Sequence, residues 1–201
     1  MSVLINASTT SGLTQTADTS GTLELQSNGT TQLTVSSTGA YGQLKSGIAQ
    51  ASTSGTSIDF TGLPSWVKRI TVMFSGVSTN GTSPPQIQIG SGSVTTSGYL
   101  GSNTFLNATI VGGANFTTGF GIGVSVSLWN ATQVFHGTIV LTLQTGNTWV
   151  CNGNNGTSNA VGTYLTNGSL ALGGTLDRIR ITTVNGTDTF DAGSINILYE
   201  G

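Results

Sequence analysis

The stretch GFGIGVSVSLW, residues 119–129, alternates without a break. Phe120, Ile122, Val124, Val126 and Leu128 are apolar, and between them stand Gly119, Gly121, Gly123, Ser125 and Ser127. A period of two predicts a strand with one face in a core and the other almost without side chains. The same period recurs elsewhere. Ile70, Val72 and Phe74 alternate with Arg69, Thr71 and Met73, Ile87 and Ile89 share a face, and so do Ile195, Ile197 and Tyr199. Pro84 and Pro85 suit a strand start or an edge. SIDF (57–60) and SVTTSGYLG (93–101) read as shorter strands, and ATQVFHGTIVLTLQTGNTWVC (131–151) as a long strand, a turn and a returning strand. TNGT (79–82) is a hairpin-type turn signal, and TLDRIRITTVNGTDTF (175–190) predicts a hairpin about Asn185-Gly186. Residues 101–118 are weakly patterned and 152–169 loop-rich. No stretch of useful length carries the helical period. About eight to ten short strands with Gly and Asn turns predict an all-β chain, with a jelly-roll-like β-sandwich as the topology.

The first fifty residues differ. Their only aromatic is Tyr41, and their apolar residues come in pulses: Val3, Leu4 and Ile5, then Leu13, Leu23 and Leu25, Leu33 and Val35. TLELQSNGTTQLTV (22–35) predicts two short strands about Asn28-Gly29, and a lone hairpin is marginal in water. Residues 1–50 therefore read as an extended N-terminal attachment arm, with those eight apolar residues as its interface. SGIAQASTSGTS (46–57) reads as a linker, and 51–201 as the sandwich domain.

Composition sharpens this picture. There are 30 Gly, 24 Ser and 35 Thr; only 6% of residues are charged, and the net charge is −2. Soluble domains are about a quarter charged, so this chain suits a protein that spends its life assembled. It has no basic stripe, which argues against nucleic acid, and no segment long enough to span a bilayer as a helix. Cys151 is the only cysteine, so no internal disulfide forms. The leader MSVLINASTTSG lacks the basic and apolar regions of a signal peptide, which predicts folding in a reducing compartment. Nine Asn-x-Ser/Thr sequons follow from Asn-rich turns in a Thr-rich chain. Against this background the small-residue face, Gly119, Gly121, Gly123, Ser125 and Ser127, has two readings: a plain solvent face, or a face that admits another backbone closely.

Candidate chemistry is sparse. His136 is the only histidine and lies mid-strand, so a surface or interface role is expected; Cys151 is expected to be a small core or semi-buried residue. One Cys and one His cannot make a zinc site, and no metal or other cofactor is expected. GFGIG lacks the lysine and helix of a phosphate loop. Asp177, Asp188 and Asp191 lie near Arg178 and Arg180, and Asp59 could pair with Lys68-Arg69; these read as ion pairs rather than an acid pair for glycoside cleavage. Trp66, Trp129 and Trp149, with Tyr99 and Tyr164, could form a sugar-stacking platform, but core or rim packing is the expectation. The chain is expected not to be an enzyme.

DFTGLPSWVKRITVMFSGVSTNGTS (59–83) and GTLDRIRITTVNGTDTFDAGSINILYE (174–200) resemble a C-terminal β-domain recurrent in virion proteins of tailed bacteriophages and prophages, over residues 56–201. INASTTSGLTQTADTSGTLELQSNGTTQLTVSSTG (5–39) is similar to the Thr/Ser-rich attachment arms of phage fibre and decoration proteins. The resemblance implies a homotrimeric component of the virion surface, made in the bacterial cytoplasm, whose partners are the major capsid protein or other virion subunits. It leaves two parts open: a capsid cement (decoration) protein, and a short tail fibre that recognises host surface glycans through loops near 101–118 and 152–168.

Overall fold

The computed structural model describes residues 22–27, 29–36, 39–41, 44–124 and 129–201. Among the described residues it is all-β, without helices. Two units divide the chain, Met1–Gln43 and Leu44–Gly201. In the first, β1 (Leu23–Ser27), β2 (Thr30–Ser36) and β3 (Gly39–Tyr41) form an antiparallel sheet in that order. Gly29 turns between β1 and β2 at φ 73°, a conformation open to glycine at no steric cost. The expected hairpin is thus present, and its register sets Leu23 opposite Val35 and Leu25 opposite Leu33.

The second unit contains β4 (Leu44–Ser46), β5 (Gln50–Ala51), β6 (Ser57–Thr61), β7 (Arg69–Thr79), β8 (Pro85–Ser91), β9 (Ser93–Val94), β10 (Leu100–Leu106), β11 (Val111–Asn115), β12 (Phe120–Gly121), β13 (Phe135–Thr145), β14 (Thr148–Thr157), β15 (Thr163–Ala171), β16 (Arg178–Thr183) and β17 (Phe190–Glu200). A large sheet runs β11-β10-β15-β14-β13-β7-β17-β4, with β5 also on β17; a small one runs β12-β8-β16-β6, with β9 on β8. Both sheets feed one core. Ile70, Val72 and Phe74 of β7, Ile139 and Leu141 of β13, and Ile195 and Ile197 of β17 share it with Ile87, Ile89, Ile179, Ile181, Ile58 and Phe60 of the small sheet. This is a β-sandwich whose alternating strands each put one face inside. The antiparallel pairs nest like a wound ribbon: β7 with β17, β8 with β16, β10 with β15, β13 with β14. Because β13 and β14 join the large sheet, the strands divide nine to five rather than evenly.

Several expectations are corrected. Residues 44–51, assigned to the arm and linker, pair as β4 and β5 with β17, and Ser52 is buried with its hydroxyl donating to Ala192 O at 2.8 Å. The unpatterned 101–118 and the loop-rich 152–169 supply β10, β11, most of β14 and β15. Their Gly and Asn residues lie within ladders that long neighbouring strands complete. The strand expected across 119–129 is limited, among the described residues, to β12, although Phe120, Ile122 and Val124 are buried as its apolar half should be. TNGT and Asn185-Gly186 do not close hairpins. Each leads a crossover between sheets, β7 to β8 and β16 to β17.

The two crossovers are tied to each other. Asn80 N donates to Thr189 O at 2.9 Å, and Thr189 N donates to Asn80 Oδ1 at 2.9 Å. Ser83 N donates to Asp188 Oδ2 at 2.9 Å, Asn185 N to Ser83 Oγ at 2.9 Å, and Asn185 Nδ2 to Asp188 Oδ1 at 2.7 Å. Turn-forming residues are used here to seal one end of the sandwich.

Candidate interaction surfaces

Of the expected ion pairs, Arg178–Asp177 is present, and the others are differently partnered. Arg180 grips Asp59 through two bonds, Nε to Oδ1 at 2.7 Å and Nη2 to Oδ2 at 2.8 Å, across the β16–β6 ladder. Arg178 binds its chain neighbour Asp177, and its hydrogen bond holds the Asp177 carboxyl below the usual carboxylate range. Arg69 pairs with Glu200 at 3.0 Å rather than with Asp59. Asp188 and Asp191 meet no arginine: Asp188 ties the crossovers, and Asp191 accepts from the Ser78 hydroxyl. The acids therefore serve local structure.

His136 and Cys151 do not meet. His136 is exposed and its Nδ1 accepts from Gly76 N at 3.1 Å, whereas Cys151 points into the core, where burial pushes its thiol pKa up. Trp129, Trp149, Tyr99 and Tyr164 are also buried, which rules them out as an exposed sugar platform. Trp129 packs against Phe135 at 5.4 Å and Tyr164 at 5.7 Å; Tyr99 packs edge-on to Phe120 at 4.9 Å. Trp66 alone is half-buried, 5.8 Å from the Tyr199 ring and with Lys45 Nζ over its face.

The room left by the 119–123 glycines is filled from within. A Cβ on Gly119 would come within 2.6 Å of Gln86 Oε1, on Gly121 within 2.5 Å of Asn103 Nδ2, and on Gly123 within 2.7 Å of the Trp129 ring. All three glycines are buried, so the close approach is made by this chain's own side chains. Ser125 and Ser127 lie outside the described residues. Beside Gly121 and Gly123 the sandwich opens into a cleft of about 320 Å³ lined by Pro84, Asn103, Phe116, Val124 and Val184. Asn103 donates to Gly123 O, while its buried Oδ1 has no partner among the described residues.

The outer face of the large sheet extends across six strands. Register aligns three rows across six strands: Asn196–Met73–Thr138–Asn154–Leu165–Thr104, Leu198–Thr71–Val140–Asn152–Asn167–Ser102, and Glu200–Arg69–Thr142–Val150–Ser169–Leu100. At ~4.8 Å per strand the rows span about 24 Å. Their only ions are the Arg69–Glu200 pair at one margin. From residue 70 to residue 176 the chain has no Asp, Glu, Lys or Arg at all, so β10, β11, β13, β14 and β15 are formally uncharged. Thr138, Asn152, Asn154 and Asn167 line a shallow depression at the centre of this face. The sequence displayed the uncharged interval openly; that it maps to one half of one sheet needed the strand order.

The arm residues fall in two groups. Val3, Leu4, Ile5 and Leu13 lie outside the described residues. Leu23, Leu25 and Val35 are exposed by 43%, 43% and 38%, with Leu33 half-buried opposite Leu25. Cross-strand neighbours share a face, so these four form one apolar ladder. No family model, curated protein or solved structure matches the chain.

Proposed function

We propose that the protein is a non-enzymatic structural component of a tailed-bacteriophage particle: a homotrimeric decoration protein that binds the assembled head through its N-terminal unit. The observation that carries this reading is the Leu23–Leu25–Leu33–Val35 ladder, an apolar face left at the surface of a three-stranded sheet in a unit separate from the sandwich. A small sheet of this kind gains stability by burying that face on a partner. Full burial of one such side chain is worth about 1.5–3 kcal/mol, so covering the part still exposed adds about 1 kcal/mol per residue. Three linked copies multiply a modest affinity into firm attachment. A ligand that binds only the assembled shell stabilises it by mass action. The sandwich fits a display role, with its few charges largely paired and its wide hydroxyl and amide face. Quantitative gels of purified virions test the head assignment: a decoration protein is present in many copies per particle, and a handful of copies overturns it.

One observation favours the second reading, a short tail fibre that recognises host glycans. The amide-lined depression at Asn152, Asn154 and Asn167 offers hydrogen-bonding groups suited to sugar hydroxyls. Glycan-array binding that falls on Asn152→Ala would support it.

A further inference from the structure

We propose that β11 is a docking edge at which a second copy of this chain adds its own β11 antiparallel, continuing the large sheet across a two-fold axis. Among the described residues, β11 is the last strand on its side of that sheet. Asn107 N donates to Ile110 O at 3.1 Å, and Phe116 N donates to Gly101 O at 3.2 Å. Antiparallel ladders alternate, so residues 110, 112, 114 and 116 turn their backbone groups to β10. Val111, Gly113 and Asn115 then direct three N–H and three C=O groups away from the sheet. All three residues are exposed, Val111 by 76%.

Sheet proteins guard such edges with charges, prolines, bulges or short strands. The other margins are guarded: β4 has three residues and carries Lys45, β6 carries Asp59, and β9 and β12 have two residues each. β11 has five residues, no charge, no proline and an unbroken register with β10. It also lies in the half of the sheet that has no formal charge, so two copies meet without repulsion.

A second copy is the occupant that the edge fits. Aligned antiparallel with Gly113 opposite Gly113, the strands set each Val111 opposite Asn115 of the partner subunit, and all six groups on each side find partners. The side chains of Val111 and Asn115 lie on the outer face, since they oppose Leu106 and Ser102, and Gly113 lies between them opposite Thr104. Glycine at the axis leaves nothing to clash. An isologous contact of this kind consumes both edges and closes, whereas pairing β11 with a different edge would leave one β11 free and propagate. The contact is made by Val111, Gly113 and Asn115 and is a different surface from the Leu23–Leu25–Leu33–Val35 ladder.

The test is the mass of the full chain in solution by sedimentation equilibrium. The wild type is expected at an even multiple of the chain mass, which for the trimer proposed above means two trimers, six chains, joined through their β11 edges. V111K with N115K sets lysine against lysine across the axis and should halve that mass. V111K with N115E sets lysine against glutamate and should restore it. Both positions are exposed, and circular dichroism melting confirms that each variant folds. A lysine–lysine variant with the wild-type mass, a lysine–glutamate variant that behaves like it, or a wild type at an odd multiple overturns the proposal.

Discussion

The crossover seal gives a sharp test of the fold. Asp188→Ala removes the acceptor of the buried Ser83 N–H and of Asn185 Nδ2. An unsatisfied buried donor costs about 1–3 kcal/mol, and the exposed Asn185 contact adds little, so a loss of about 2 kcal/mol is expected. For a chain of this size that lowers Tm by about 4–8 °C. Gly81 supplies the control. The three atoms nearest to a Cβ built there all belong to the Asp188 carboxylate, with which it would overlap. Gly81→Ala should therefore cost about 1–3 kcal/mol in the wild type and close to nothing once Asp188 is alanine. A double-mutant cycle by urea unfolding reads the coupling, expected at about 1–3 kcal/mol, with the slope unchanged. If Asp188→Ala costs under about 0.5 kcal/mol, or Gly81→Ala costs the same in both backgrounds, the seal as described is refuted.

Two further outcomes follow from burial and charge. The raised pKa of the buried Cys151 thiol should leave it inert to thiol reagents at mildly alkaline pH in the native protein and reactive on unfolding; rapid native labelling would contradict its placement. Arg178 depresses the folded Asp177 pKa, so that contribution is present above the ordinary carboxylate pKa and is lost as pH falls through the lower folded value. Asp177→Asn should make the acid-side loss of stability shallower, measured as Tm against pH, and an unchanged profile counts against the pair.

Period-two alternation was enough to place Ile70, Val72 and Phe74, Ile87 and Ile89, and Ile195 and Ile197 inside, and to show the β13–β14 hairpin. It failed where glycine and asparagine sit within strands. Gly153, Gly156 and Gly168 lower strand propensity, yet they lie in ladders whose neighbours on both sides enforce extension. Turn signals were read as hairpins because local sequence specifies the turn and not the sheet that the next strand joins. The glycines of 119–123 looked like an open face because side chains that arrive from distant sequence, Gln86, Asn103 and Trp129, leave no local mark. The ion pairs show the same limit: Arg180 reaches Asp59, far along the chain, while nearer acids serve loops. Of the interaction surfaces, the β1–β2 ladder was legible because its register depends on one Asn-Gly turn. The β11 edge was not, since an edge is a property of strand order.

The most direct measurement is the affinity of the chain for bacteriophage heads, compared between the full protein and residues 44–201 by cosedimentation. The account predicts that the full chain binds saturably, while the shorter chain keeps its sandwich by circular dichroism and stays in the supernatant. Equal binding by both would contradict the claim that the N-terminal unit is what docks.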